Sequence, residues 1–469
     1  MVFSSAVFLL AFLPIVLSVY YMIPVRLKNP MLLLASLIFY AWGEPVYVLI
    51  MLFSTVFDYG NGLMLEHLDR TGQPHRRKWV LALSVAVNLG LLGFFKYTDF
   101  LLGSLNALFG TGFVPLRLPL PIGISFYTFQ TLSYTIDVYR REIPAQRRLV
   151  DFGMYVCLFP QLIAGPIVRY RDIASQIGVR EIGADKACAG IFRFVQGLAK
   201  KVLLANSFGA LWDEISAQDG ERAALTAFLG AAAYMLQIYF DFSGYSDMAI
   251  GIGKMLGFDF PENFNYPYES RSVTEFWRRW HISLGTWFRE YLYIPLGGSR
   301  KGFGRQIRNL LIVWLLTGLW HGAGWQFAVW GLYFFALLVL EKRFLLRRLE
   351  RLPAAVSHIY TLLAVLLSWV IFACDDLGSA WRYLLSLFGA NGLANAASWY
   401  YFRAHALPLL IGAFLSVSAV KTLWRRFLYR RPVENHAFAV KTCVAAALYV
   451  VSLLAVINGG YNPFLYFRF

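Results

Sequence analysis

Eleven charge-poor apolar runs recur along the chain, at about residues 2–25, 31–57, 79–95, 119–136, 152–168, 223–240, 309–320, 325–340, 359–374, 406–420 and 442–460. A helix needs about 20 apolar residues to cross a hydrocarbon core of about 30 Å. Backbone groups in lipid must pair internally, which leaves helices or a closed barrel. A barrel would show short alternating strands, and these runs do not alternate. Hydrophobic residues make up 58% of the 469 residues and charged residues 15%, a balance foreign to a soluble domain of this length. The runs predict an all-α, polytopic transmembrane protein of roughly ten to twelve spans. Several runs fall short of a full span, so re-entrant segments are expected among them. The first run, Val2 to Val25, has no obvious small-residue cleavage site and reads as a retained helix.

The formal net charge is +16. Most of it lies in short loops between apolar runs, where cytoplasmic lysine and arginine are expected. The charge therefore points to a bilayer and not to nucleic acid. The basic loops are Arg70 to Lys78, Arg140 to Arg148, Lys342 to Arg351 and Lys421 to Arg431. Placed in the cytoplasm, they leave Tyr461 to Phe469 on the outer side of a cytoplasmic (inner) membrane. The four cysteines, Cys157, Cys188, Cys374 and Cys443, are scattered, with neither a disulfide framework nor metal-ligand spacing. The expected organisation is one membrane domain over 1–469, with a motif-bearing core over 119–345 and an aromatic tail over 459–469.

Ionisable residues concentrate between Gln237 and Trp325. At membrane depth such groups are costly and usually face a cavity with a job to do. His321 sits in Trp320-His321-Gly322-Ala323-Gly324, where the glycines permit a turn and close approach. Arg300, Lys301, Arg305 and Arg308 precede it, and Lys342 and Arg343 follow. Both flanks are basic, and the twelve residues of 309–320 reach only about 18 Å as helix. A re-entrant hairpin broken at Trp320 to Gly324 fits this pattern. The alternative is one true span within 309–340 and a buried core histidine. A neutral imidazole at 321 can take a proton from a nucleophile and return it to a leaving group.

His281, in Glu275-Phe-Trp-Arg-Arg-Trp-His281, reads either as a group that orients substrate or polarises a carbonyl, or as a helix-packing histidine. Asp241 and Asp247 read as a helix cap and an inward-facing carboxylate, or as partners of arginines such as Arg278 and Arg289. Arg278, Arg279 and Arg300 carry guanidinium forks that match donor phosphates or lipid headgroups alike. Trp320 joins Asp241, Asp247, Arg278 and Arg279 as a candidate for donor binding. In the tail, Pro463 stops the last helix and aromatics follow. They read as an interfacial anchor, or Tyr466 reads as a phenol that a nearby base activates as a nucleophile.

Several segments resemble the membrane-bound O-acyltransferase family, in its bacterial branch that acetylates alginate or peptidoglycan. They are Met1-Val-Phe-Ser-Ser, Pro121-Ile-Gly-Ile-Ser-Phe-Tyr127, Tyr134-Thr-Ile-Asp-Val-Tyr-Arg140, Phe159-Pro-Gln-Leu-Ile-Ala-Gly-Pro166, Tyr239-Phe-Asp-Phe-Ser-Gly-Tyr-Ser-Asp-Met-Ala-Ile250, Phe276-Trp-Arg-Arg-Trp-His-Ile-Ser-Leu284 and Gly318-Leu-Trp-His-Gly322. The likeness covers residues 1 to 345 and is looser beyond. It implies a helical fold around a central funnel, with His321 as the principal active-site histidine and His281 at the second polar position. Arg289-Glu290-Tyr-Leu292 stands where the branch has Arg-Asp-Tyr-Leu, which keeps the carboxylate but adds a methylene. The tail is similar to the C-terminal motif of a small protein that accompanies the teichoic-acid D-alanyl transferase, where a tyrosine is proposed to carry the acyl group.

The expectation that follows is an O-acyltransferase with no bound cofactor. Acetyl-CoA or another acyl thioester is the cytoplasmic donor, His321 the general base and Tyr466 the relay. A separate extracytoplasmic serine esterase-type (SGNH-like) partner places the group on a polysaccharide. The rival readings are a polysaccharide or lipid-carrier transporter or flippase, an enzyme acylating lipid or protein, and a scaffold for a synthase complex.

Overall fold

The computed structural model describes residues 1–218, 222–428, 434–459 and 463–465. Every regular element among them is helical, as the apolar runs require. Five helices are long and apolar enough to cross a membrane: Val48–Arg70, Pro74–Phe109, Ala224–Met255, Ala354–Ala373 and Ala437–Gly459. Other apolar runs form shorter or more polar helices, including Phe8–Met22, Ile124–Tyr139, Trp325–Leu340 and Ala396–Leu415.

Several runs differ from their expected outlines, and three show why. The run at 31–57 divides into Val25–Ala41 and Val48–Arg70, because Pro45 disfavours helix at Glu44 before it. The run at 152–168 gives Leu149–Cys157 and the short Phe159–Leu162. The run at 309–320 is the charge-free part of a longer helix, Phe303–His321, which reaches about 28 Å by taking in Arg305 and Arg308. Amphipathic helices such as Ala184–Ala199 and Asn206–Ser216 escape a reading based on unbroken apolar runs, since polar and charged residues interrupt them.

The chain sorts into two compact units. The first comprises Met1–Phe194 and Ser246–Glu262. Within it, Asp58 is fully buried on Val48–Arg70. It accepts hydrogen bonds from Ser84 at 2.6 Å, Asn88 at 2.7 Å, Asn61 at 3.1 Å and Thr135 at 3.3 Å. These neutral donors tie three helices to one carboxylate and offset its burial.

The second unit comprises Val195–Tyr245 and Asn263–Phe469. Its core is rich in aromatic rings, including Tyr239, Tyr268, Phe276, Trp280, Trp330, Trp369 and Phe372. The helices Phe303–His321 and Trp325–Leu340 form a tight hairpin. Gly318 faces the backbone oxygen of Phe327, and Gly331 faces that of Trp314, each too closely for any Cβ. Glu341 is buried and accepts the N–H groups of Val273 at 2.7 Å and Thr274 at 2.8 Å, which fixes the start of Val273–Arg279.

Candidate active site

His321 is the last residue of Phe303–His321, and the helix resumes at Trp325. The break falls on Gly322, Ala323 and Gly324, as the glycine spacing predicts. A Cβ at Gly322 would strike the Phe327 ring, so this glycine permits the hairpin to close over the histidine. The His321 ring packs 5.0 Å from Trp320, 5.1 Å from Trp330 and 5.3 Å from Phe372, centroid to centroid. It is buried, with 8% of its surface open.

His281 joins Val273–Arg279 to Ile282–Phe288 and has a left-handed backbone, φ 44°. That conformation is costly for a residue with a Cβ and persists only where the surroundings enforce it. Asn263 is the enforcer. Its Oδ1 lies 3.0 Å from His281 Nδ1 and accepts the Ser283 hydroxyl at 2.9 Å and the Ser283 N–H at 3.3 Å. Its backbone carbonyl accepts the Ile282 N–H at 3.0 Å.

An amide oxygen only accepts, so Nδ1 carries the proton and Nε2 keeps a lone pair. Nε2 is buried and has no hydrogen-bond partner among the described residues. A neutral ring held this way accepts a proton or a hydrogen bond and donates none from Nε2. It therefore cannot polarise a carbonyl, one of the two functional roles expected for it. His281 itself lies outside the five candidate spans, and burial lowers its pKa, which keeps the ring neutral.

Trp320 connects the two histidines. Its ring is 6.0 Å from His281 and 5.0 Å from His321. Phe242 closes the other side of His281 at 4.7 Å, edge-on. Two imidazoles thus share one aromatic cluster, assembled from residues as distant in sequence as Phe242 and Phe372.

The carboxylates depart from expectation. Asp241 is no helix cap, because Ala224–Met255 runs unbroken through Asp241 and Asp247. Asp241 pairs with a lysine, and Asp247 with an arginine other than the two expected. Asp241 binds Lys201 Nζ at 2.5 Å, and both side chains are almost fully buried. Asp247, in the first unit, binds Arg193 at 2.6 Å, and Arg193 also holds Glu262 at 2.6 Å. The helix persists because Gly244 brings its backbone against Gly197, Lys200 and Lys201, so packing outweighs the turn-like Asp-Phe-Ser-Gly composition.

Lys201 lies in a π-helical turn, Lys200–Ala205, a distortion often found at functional sites. It also donates to the Pro463 carbonyl at 3.1 Å. Arg278 is exposed. Arg279 is held by Glu275 at 2.7 Å and Glu269 at 3.7 Å. Tyr466 lies outside the described residues. Sequence reading missed Asn263, Lys201, Phe242, Trp330 and Phe372. Lys201 had one signal, a buried-looking lysine pair before an apolar stretch. Asn263 sits in a loop and had none.

A model of the MBOAT, membrane-bound O-acyltransferase family, matches residues 139–377, which include both histidines. The chain is 41% identical to a probable alginate O-acetylase of Azotobacter vinelandii, over the whole of both chains. It is 32% identical to a peptidoglycan O-acetyltransferase of Helicobacter pylori, covering 100% of this chain and 98% of the relative. It is 28% identical to a teichoic acid D-alanyltransferase of Bacillus subtilis, covering 46% of this chain and 58% of the relative. The match over residues 139–377 and these relatives make the chain an acyltransferase that belongs to the membrane-bound O-acyltransferase family.

Proposed function

We propose that this enzyme passes an acyl group, acetyl in the simplest case, from a cytoplasmic thioester such as acetyl-CoA to the far side of a cytoplasmic membrane, for O-acylation of an extracytoplasmic polysaccharide. The observation that carries the reading is the shared aromatic cluster of His281, Trp320 and His321. The names of the relatives, alginate O-acetylase and peptidoglycan O-acetyltransferase, support a polysaccharide acceptor.

In this mechanism the thioester reaches His321 through a funnel from the cytoplasm. His321 takes the proton of an attacking hydroxyl. The oxygen attacks the thioester carbonyl, the C–S bond breaks, and His321 returns the proton to the leaving thiolate. His281, a hydrogen-bond acceptor at Nε2, orients a donating group of the substrate. The attacking hydroxyl is the Tyr466 phenol, giving an aryl ester. A serine esterase-type (SGNH-like) partner then takes the acyl group on its serine, and the serine proton restores the phenol. Asp241 and Lys201 hold the approach to the tail, while Arg278 is the exposed candidate for donor phosphates.

The test is thioester consumption by the purified protein in nanodiscs, together with polymer acetylation in cells. The reading expects His321→Ala to abolish both and Tyr466→Phe to abolish acetylation. Wild-type acetylation in both variants would overturn the mechanism. Silence of Tyr466→Phe alone would remove the relay and leave a direct hand-off.

A further inference from the structure

The buried pair Lys201–Asp241 does more than neutralise itself. Asp241 stands inside Ala224–Met255, a candidate membrane span, where an ionisable residue marks function by default. Its Oδ1 takes the Lys201 ammonium at 2.5 Å and its Oδ2 takes the Leu465 N–H at 2.8 Å. Lys201 in turn donates to the Pro463 carbonyl at 3.1 Å. Between these two backbone contacts, the Phe464 ring lies edge-on to Tyr245 at 4.6 Å, with Lys201 Nζ 4.8 Å from its centroid. Phe464 is 1% exposed and Leu465 7%.

Three successive tail residues therefore use one acceptor, one ring and one donor against the same two charges. Without them Asp241 Oδ2 and one Lys201 N–H would lose these partners in a buried site, a costly arrangement. The seat is also continuous with the histidine cluster. Asp241 and Tyr245 grip the tail from one helix, and Phe242 on that helix packs on His281.

We propose that the Lys201–Asp241 pair is a positioning device that grips the backbone of Pro463–Leu465, and that acyl transfer depends on this grip. Lys201 and Asp241 act through the tail and touch no reacting atom. The activity arm of this proposal rests on the function proposed above, whereas the docking arm stands apart from it.

The experiment uses the full chain in nanodiscs and reads amide hydrogen exchange at Leu465 together with steady-state acyl transfer from acetyl-CoA. The wild-type Leu465 amide should exchange at least ~100-fold more slowly than a free peptide. Asp241→Asn and Lys201→Gln should each speed that exchange at least ~10-fold. Both should lower kcat at least ~10-fold while KM for acetyl-CoA stays within about twofold, in protein whose amides outside the tail keep wild-type protection, which general unfolding would remove. Leu465→Pro removes the backbone donor and leaves both charged side chains in place, so it should show the same loss of kcat in a folded protein, whereas Leu465→Ala, which trims the buried side chain and keeps the donor, should not. Free-peptide exchange at Leu465 in the wild type would overturn the proposal, as would wild-type kcat in Leu465→Pro and Asp241→Asn. Leu465 protection should be unchanged in His321→Ala. Full turnover in that variant with protection intact would contradict the role of His321 and still support the seat.

Discussion

The Asp241 carboxylate accepts the Leu465 backbone N–H at 2.8 Å, across 224 residues of chain. The next residue along the same helix, Phe242, packs edge-on against His281. One turn of a buried helix thereby touches both the tail and the histidine cluster.

The ion pair should be far costlier to break than to replace. Lys201→Met strands a buried carboxylate and is expected to destabilise the protein by roughly 3–5 kcal/mol. Lys201→Met with Asp241→Leu removes both charges and should recover much of that loss. Thermal unfolding of the purified variants checks this. Additive losses in the double variant would show that the two charges do not depend on each other.

Asn263 sets the His281 tautomer through Oδ1. Asn263→Leu fills the space but removes the acceptor, leaving the ring free to turn. Turnover should fall at least ~10-fold in a protein that still unfolds cooperatively. Asn263→Asp keeps an acceptor oxygen and should retain more turnover than Asn263→Leu.

Burial lowers the His281 pKa, which carries a sign for stability. The unfolded chain takes up this proton near pH 6.5, before the folded protein does. Stability should therefore fall as pH drops below about 6.5, because the unfolded state binds more protons there. His281→Gln cannot titrate and should flatten that part of the curve. An unchanged acid limb in unfolding curves from pH 7 to 5 would count against a neutral, buried ring.

The hairpin that presents His321 depends on two backbone approaches. Gly331→Val would drive a side chain into the Trp314 carbonyl. A loss of about 1–3 kcal/mol or more is expected, visible as a lowered melting temperature. Gly304→Ala, on the same hairpin with nothing within 4 Å of its Cβ, should be well tolerated.

Much of this was legible in the sequence because its signals are local. Apolar run length gave the helical membrane architecture, and Gly322 with Gly324 marked the break after His321. What stayed hidden is non-local. Lys201 and Asp241 are 40 residues apart, and no spacing rule links them. Asp241 looked like a cap because Asp, Ser and Gly favour turns. The helix continues there because Gly244 packs against the backbone of Gly197 and Lys201, a tertiary contact that local propensity cannot register. Asn263 acts through one amide oxygen on a loop, and nothing nearby in sequence announces it. Tyr466, the proposed tail nucleophile, lies outside the described residues, though its neighbour Leu465 is held by Asp241.

The most direct measurement is the single-turnover rate of acyl transfer from acetyl-CoA by purified wild type and His321→Ala, each saturated with donor. The account predicts a fall of at least ~100-fold in the variant, with acetyl-CoA affinity unchanged. A variant that transfers the acyl group at the wild-type rate would contradict the assignment of His321 as the proton carrier.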